Sequence, residues 1–157
     1  MADLYPVDAD FAAKARINKS TYQAQYRASV EDPDTFWAGA AERLDWFRKP
    51  TKIRNVSYDL QDFRIKWFED GELNASVNCL DRQLDKRGDK VALLFEPDSP
   101  DAPAQSVTYR ELYERVCRLG NALRALGVVK GDRVTIYLPM IVDAAVAMLA
   151  CARIGAI

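Results

Sequence analysis

The sequence predicts an α/β chain in which short, irregular N-terminal elements lead into a parallel sheet that is incomplete as written. Three observations carry this. Residues 90–157 read as a regular alternation of strand and helix, the order of a parallel sheet with crossover helices. That stretch offers about two such strands and the start of a third, whereas a parallel sheet needs several strands and cover on both faces. Residues 1–73 instead hold all three tryptophans and many tyrosines, with no long regular element.

In the first half, Ser20-Thr-Tyr-Gln23 fits a capping box, with Tyr22, Tyr26 and Val30 at helical spacing behind it. Asp32-Pro33 supplies an N-cap and a proline at the first helical position. Phe36, Trp37, Ala40, Leu44 and Phe47 then recur at three and four residues, an apolar stripe expected to dock on a core. Residues 63–68 alternate, so Phe63, Ile65 and Trp67 share one face of a strand and Arg64 and Lys66 the other. Asp70-Gly71 makes a turn. Asn74 is the expected N-cap of a helix carrying Val77, Leu80, Asp81 and Leu84 and ending at Gly88.

In the second half, Val91–Phe95 has strand composition, and Ser106–Thr108 returns after a Pro/Asp/Ala loop. Thr108-Tyr-Arg-Glu111 is a second capping box. Leu112, Val116, Leu119, Leu123 and Leu126 follow with helical spacing, and Gly127 sits where a C′ glycine belongs. Arg133–Leu138 reads as an apolar strand ended by Pro139. Asp143 opens a helix of small apolar residues, Ala144–Ala152, which is stable only when packed closely. Ile154, Ala156 and Ile157 look like the start of a further strand. The run from Val134 to Ala152 approaches a membrane span in length, but Pro139 and its β-rich start favour a buried strand–turn–helix.

Composition removes whole classes of function. The 157 residues are 49% hydrophobic and 29% charged, with 22 basic against 23 acidic side chains. That balance gives no electrostatic case for nucleic acid or an anionic membrane. There is no histidine, hence no Ser-His-Asp or Cys-His triad and no His-ligated metal within this chain. Of seven glycines the closest pair is four apart, so neither GxGxxG nor GxxxxGK[ST] is present. The acidic N-terminus lacks a basic region followed by an apolar stretch, which argues against a secretory signal. Cys79, Cys117 and Cys151 are odd in number and form no CxxC pair, so free thiols in a reducing cytoplasm are expected.

The motifs then converge. Tyr26, Ser29, Asp32-Pro-Asp-Thr-Phe-Trp37, Lys66-Trp-Phe-Glu-Asp-Gly-Glu-Leu-Asn74 and Asn78-Cys-Leu-Asp-Arg82 resemble the N-terminal extension of AMP-forming acetyl-CoA synthetases. Thr108-Tyr-Arg-Glu-Leu112 is similar to the motif that opens the AMP-binding domain of the adenylate-forming superfamily. Gly131-Asp-Arg-Val134 and Tyr137-Leu-Pro-Met140 fit that domain's next strand, and the small-residue run from Ala144 to Gly155 is similar to the helix after it. The resemblance covers residues 17–157 and implies an extension at 1–82 and a truncated AMP-binding domain at 83–157. One departure is Gln83, where the family usually has histidine; a structural effect is expected there.

The resemblance implies a parent reaction in which acetate, ATP and CoA give acetyl-CoA, AMP and pyrophosphate through an acetyl-adenylate, with Mg²⁺. It places the phosphate loop, the ribose-holding carboxylate, the adenylation lysine on a mobile C-terminal domain and a glycine-rich turn at the CoA site beyond Ile157. No catalytic, cofactor-binding or metal residue is therefore assigned in this chain, and the segment alone is expected to be inactive and to bind none of these groups well. The expected partners are the rest of the AMP-binding domain and the C-terminal domain. Asp81 and Arg82 are expected to form an ion pair or cap fixing the extension, rather than a charged pair at a catalytic cleft. Arg110, Arg115 and Arg118 read as the solvated face of a helix rather than a phosphate patch. Alternatives are a propionyl-CoA or related short-chain synthetase segment, a non-catalytic interaction module, and, more weakly, an RNA-binding module built on residues 63–68.

Overall fold

A computed structural model of the chain describes residues 5–157. The opening of the acidic stretch read for signal content lies at residues 1–4, outside the described residues. The chain divides into two compact units. One comprises the residues up to Arg43 together with Lys52–Glu69; the other comprises Leu44–Thr51 and Asp70–Ile157.

The first unit holds α1 (Ala9–Lys14), α2 (Lys19–Glu31), α3 (Pro33–Ala41), β1 (Arg54–Ser57) and β2 (Arg64–Trp67). Asp8 caps α1, accepting from the amides of Asp10 and Phe11 at 3.0 Å. The cap of α2 is Asn18, whose side chain accepts from the Thr21 amide; the expected cap, Ser20, instead donates to that same Asn18 oxygen. The amide oxygen two residues earlier reaches the free Thr21 N–H, and Ser20 becomes helical. Asp32 caps α3 with Pro33 at the first helical position, as the sequence indicates.

The stripe from Phe36 to Phe47 does not stay on one helix. α3 stops at Ala41, and Leu44 and Phe47 belong to the other unit, where the Phe47 amide donates to Glu72 O. β1 and β2 pair antiparallel with Val56 opposite Ile65. Trp67 meets Trp37 edge to face with centroids 5.8 Å apart. The face of Phe63, Ile65 and Trp67 is more open than alternation implies, with Ile65 51% exposed, while Arg64 is half-buried through Asn55 and Asp62.

The second unit holds α4 (Ala75–Cys79), a 3-10 turn (Asp81–Gln83), α5 (Leu84–Arg87), β3 (Val91–Phe95), β4 (Gln105–Thr108), α6 (Tyr109–Ala125) and α7 (Val142–Ile154). Asn74 caps α4 as expected, but the single helix expected from Asn74 to Gly88 is broken at Leu80, whose turn inserts the 3-10 segment. β3 and β4 pair antiparallel with an irregularity between Val91 and Leu93. The capping box of α6 is complete in both directions between Thr108 and Glu111.

Leu80, Val107, Leu112, Val116, Val142, Val146 and Ala150 form the core. Gly120 of α6 lies against Ala150 and Ile154, so two small residues let the helices approach closely. This is the close packing that an alanine-rich helix requires.

The expected parallel sheet is not what these strands build: among the described residues both ladders, β1–β2 and β3–β4, are antiparallel. Arg133–Leu138 joins no ladder; Tyr137 is 98% exposed. Among the described residues this segment is paired at one point. The Ile157 amide donates to Asp132 O at 2.7 Å, and the Val134 amide donates to Ile157 O at 2.8 Å. That pair of bonds, either side of Arg133, is one rung of parallel pairing, with α7 as the crossover. The architecture is therefore α/β with incomplete sheets. Among the described residues no helix is long and apolar enough to cross a membrane; Val134–Ala152 divides into the extended segment and α7.

Candidate functional site

The Asn74–Arg82 segment is where chemistry-bearing side chains converge. Asn74 Oδ1 accepts from the Val77 amide at 3.2 Å and so caps α4. Its Nδ2 donates to Ala152 O and Arg153 O, at 3.1 and 3.0 Å, and so also closes the end of α7. Asn78 exchanges two bonds with the Asp45 backbone, both 2.9 Å. Leu80 enters the core at 2% exposure.

Asp81 does not pair with its neighbour Arg82. It takes Arg153 of α7 in a two-pronged contact, Nη2 to Oδ1 at 2.7 Å and Nη1 to Oδ2 at 2.8 Å. Arg153 also stands 5.0 Å over the ring of Tyr113. The bond to Asp81 raises the guanidinium's affinity for its proton. Tyr113 is held above its ordinary value, first by its hydrogen bond to Cys117 and then by Asp81. Arg82 reaches Asn78 Oδ1 at 3.0 Å and Asp45 at 3.6 Å. Gln83 sits in the 3-10 turn and accepts from Arg87.

The other sequence candidates do not assemble. Arg110 faces Asp89, just before β3, at 3.4 Å, and Arg118 faces Glu114 one turn away on α6 at 3.8 Å, both solvent-exposed pairs. Cys79 is exposed, Cys117 half-buried and Cys151 buried, and all three are free thiols. Among the described residues no three of His, Cys, Asp or Glu gather where they would hold a metal ion. These residues therefore do not fit a Mg²⁺ cage.

Beside Asn74 and Arg153 opens a cleft of about 660 Å³ between α4, α6, the end of α7 and residues 128–130. Phe47, Val77 and Val129 supply apolar wall; Asn121, Arg124 and Lys130 supply polar groups. Helical spacing places Arg124 on an outer face of α6, and composition places Lys130 in a turn. The register that brings them together depends on the Gly127 bend, which spacing alone does not fix.

Two family models cover almost all of the chain without overlap. Residues 22–79 match the acetyl-coenzyme A synthetase N-terminus, and residues 80–157 match the AMP-binding enzyme family. Acetyl-coenzyme A synthetase of Xanthomonas campestris pv. campestris is 73% identical over all 157 residues. The chain belongs to the acetyl-coenzyme A synthetase family. It is an N-terminal segment of that family: it spans 24% of the length of the Xanthomonas protein, and 24% of that of Xylella fastidiosa, to which it is 67% identical. The solved acetoacetyl-CoA synthetase from Streptomyces lividans superposes with a TM-score of 0.77 at 33% identity, over 94% of this chain and 22% of that one. Within the family segment, the Asn-Cys-Leu-Asp-Arg run acts as a fastener: Asn78 and Arg82 hold Asp45, and Asp81 holds α7. Arg153, its partner, carries no sequence signal beyond being a cation in the last turn of a helix.

Proposed function

We propose that this segment is the N-terminal extension, residues 1–82, and the opening of the AMP-binding domain, residues 83–157, of an AMP-forming acetyl-CoA synthetase. The whole protein would condense acetate with ATP to acetyl-adenylate and pyrophosphate, then pass the acetyl group to CoA. The observation that carries the reading is the 73% identity with acetyl-coenzyme A synthetase along the entire chain. The segment's part is structural. Asn74, Asn78, Asp81 and Arg82 fasten residues 74–82 to α7 and to residue 45, and so hold the opening of the AMP-binding domain in place. The mobile C-terminal domain and the remaining AMP-binding domain are its partners, the cytoplasm its compartment, with neither nucleic acid nor membrane engaged.

The test is ATP–pyrophosphate exchange. The intact protein is expected to exchange with acetate more efficiently than with propionate or acetoacetate, and the 157-residue segment to give none. Preference for propionate would assign the propionyl-CoA synthetase reading, and preference for acetoacetate the activity named for the Streptomyces protein. Sustained exchange by the segment alone would show that it is not merely structural.

A further inference from the structure

The cleft at the ends of α6 and α7 is charged in one sense only. No aspartate or glutamate lines it. Arg153 contributes no net charge there, because Asp81 neutralises it. Arg124 and Lys130 make no ion pair among the described residues, and both are exposed at the cleft wall. The side chain of Asn121 likewise has no hydrogen-bond partner among the described residues.

Helix C-termini ordinarily repel anions. Here the last carbonyls of α7 are already taken, since Asn74 Nδ2 donates to Ala152 O and Arg153 O. The cleft thus presents two unpaired cations and a spare amide, without bare carbonyls of Ala152 and Arg153 against them. Its volume, about 660 Å³, falls in the range of small-molecule sites, about 300–1,000 Å³.

We propose that this cleft is a binding site for an amphipathic anion, with an apolar body along Phe47, Val77 and Val129 and a carboxylate or phosphate head between Arg124 and Lys130. A guanidinium and an ammonium suit either head: the fork takes two oxygens and the ammonium one more. Arg153 also lines the cleft, but its guanidinium stays committed to Asp81.

Cys117 lines the same cleft and reports its occupancy. The experiment follows alkylation of Cys117 by iodoacetamide in the intact protein, by peptide mass spectrometry, with hexanoate, hexyl phosphate or uncharged hexanol present. An anion at ten times its Kd leaves about a tenth of the sites free, so alkylation is expected to slow about tenfold. Protection by hexanoate assigns a carboxylate head, and by hexyl phosphate a phosphate head. The protection is expected to vanish in Arg124→Glu/Lys130→Glu and to weaken in Arg124→Ala, a helix-compatible change at an exposed position. Three results overturn the proposal: no protection by either anion, equal protection by hexanol, or protection that survives in the double variant. Failure of Cys117 to react without any probe also overturns it, because the cleft is then covered in the intact protein. These readouts are local to the cleft and do not depend on acetate activation.

Discussion

Asp81 and Arg153 meet through two parallel hydrogen bonds of 2.7 and 2.8 Å, although 72 residues separate them in the chain. Their side chains are 28% and 20% exposed, so the pair is largely removed from water. Asp81→Asn leaves a shielded guanidinium without its counter-charge and is expected to cost about 2 kcal/mol. Arg153→Lys keeps the charge but loses the fork, and is expected to be destabilising as well. Urea denaturation of the two single variants and the double variant gives the coupling, expected between about 0.5 and 3 kcal/mol. Additive single effects would mean that the pair is incidental.

That contact marks the boundary of what is legible in the sequence. Local signals translate directly: Thr108 and Glu111 close the box that their spacing indicates, and Asp32, Asn74 and Gly127 sit where caps are expected. Each depends on groups within about one helical turn, where spacing alone fixes geometry. Asp81 is recognisable as a pairing residue, but its partner is not, because adjacent residues of a helical turn do not face each other and Arg153 lies 72 residues further along the chain. The helix expected through Leu44 and Phe47 fails for a related reason. The backbone of Phe47 bonds Glu72, a long-range contact that overrides helical periodicity. β1 is invisible in the sequence because Arg-Asn-Val-Ser lacks alternation, and it exists only opposite β2.

Leu80 tests whether the fastener also belongs to the core. Its side chain is 2% exposed and sits among Val107, Leu112 and Val116. Leu80→Ala is expected to cost about 3 kcal/mol through lost burial and the cavity left behind. Differential scanning calorimetry would register it as a clear fall in Tm. A loss below about 1 kcal/mol would show that the site collapses without a cavity.

The capping box of α6 makes stability depend on pH. Glu111 accepts from the Thr108 backbone and side chain, and these bonds hold its carboxyl below the ordinary value of 4.5. A lowered folded-state value means that the ionised form is favoured by folding. The contribution is therefore complete above 4.5 and is lost as pH falls through that value towards the lowered one. Glu111→Gln is expected to flatten this limb while keeping the helix. Thr108→Ala removes the reciprocal bond and is expected to cost about 1 kcal/mol at neutral pH. Denaturation midpoints followed downwards through 4.5 check both; an unchanged acid limb in Glu111→Gln would assign the dependence to other carboxylates.

Gly155 ends α7 in the left-handed region, φ 78°, where a side chain is strained whatever the space. Space is also short: a Cβ there would lie 2.9 Å from Lys130 Cγ. Gly127, at φ 91°, has the same backbone demand but nothing within 4 Å of a Cβ. The two glycines separate strain from collision. Gly127→Ala is expected to cost about 1 kcal/mol, the left-handed penalty alone. Gly155→Ala is expected to cost more, and Lys130→Ala is expected to relieve only the excess. The flexible lysine stem can yield, so the excess should stay below the backbone cost. Because the Gly155 carbonyl accepts from the Gly131 amide at 2.9 Å, a shift at Gly155 would also reach the parallel rung at Ile157. Hydrogen exchange of the Val134 and Ile157 amides reads that consequence: both are expected to exchange faster in Gly155→Ala and to recover with Lys130→Ala. Equal penalties at Gly127 and Gly155 would mean that Lys130 moves aside freely and that the turn, not the contact, orients the rung.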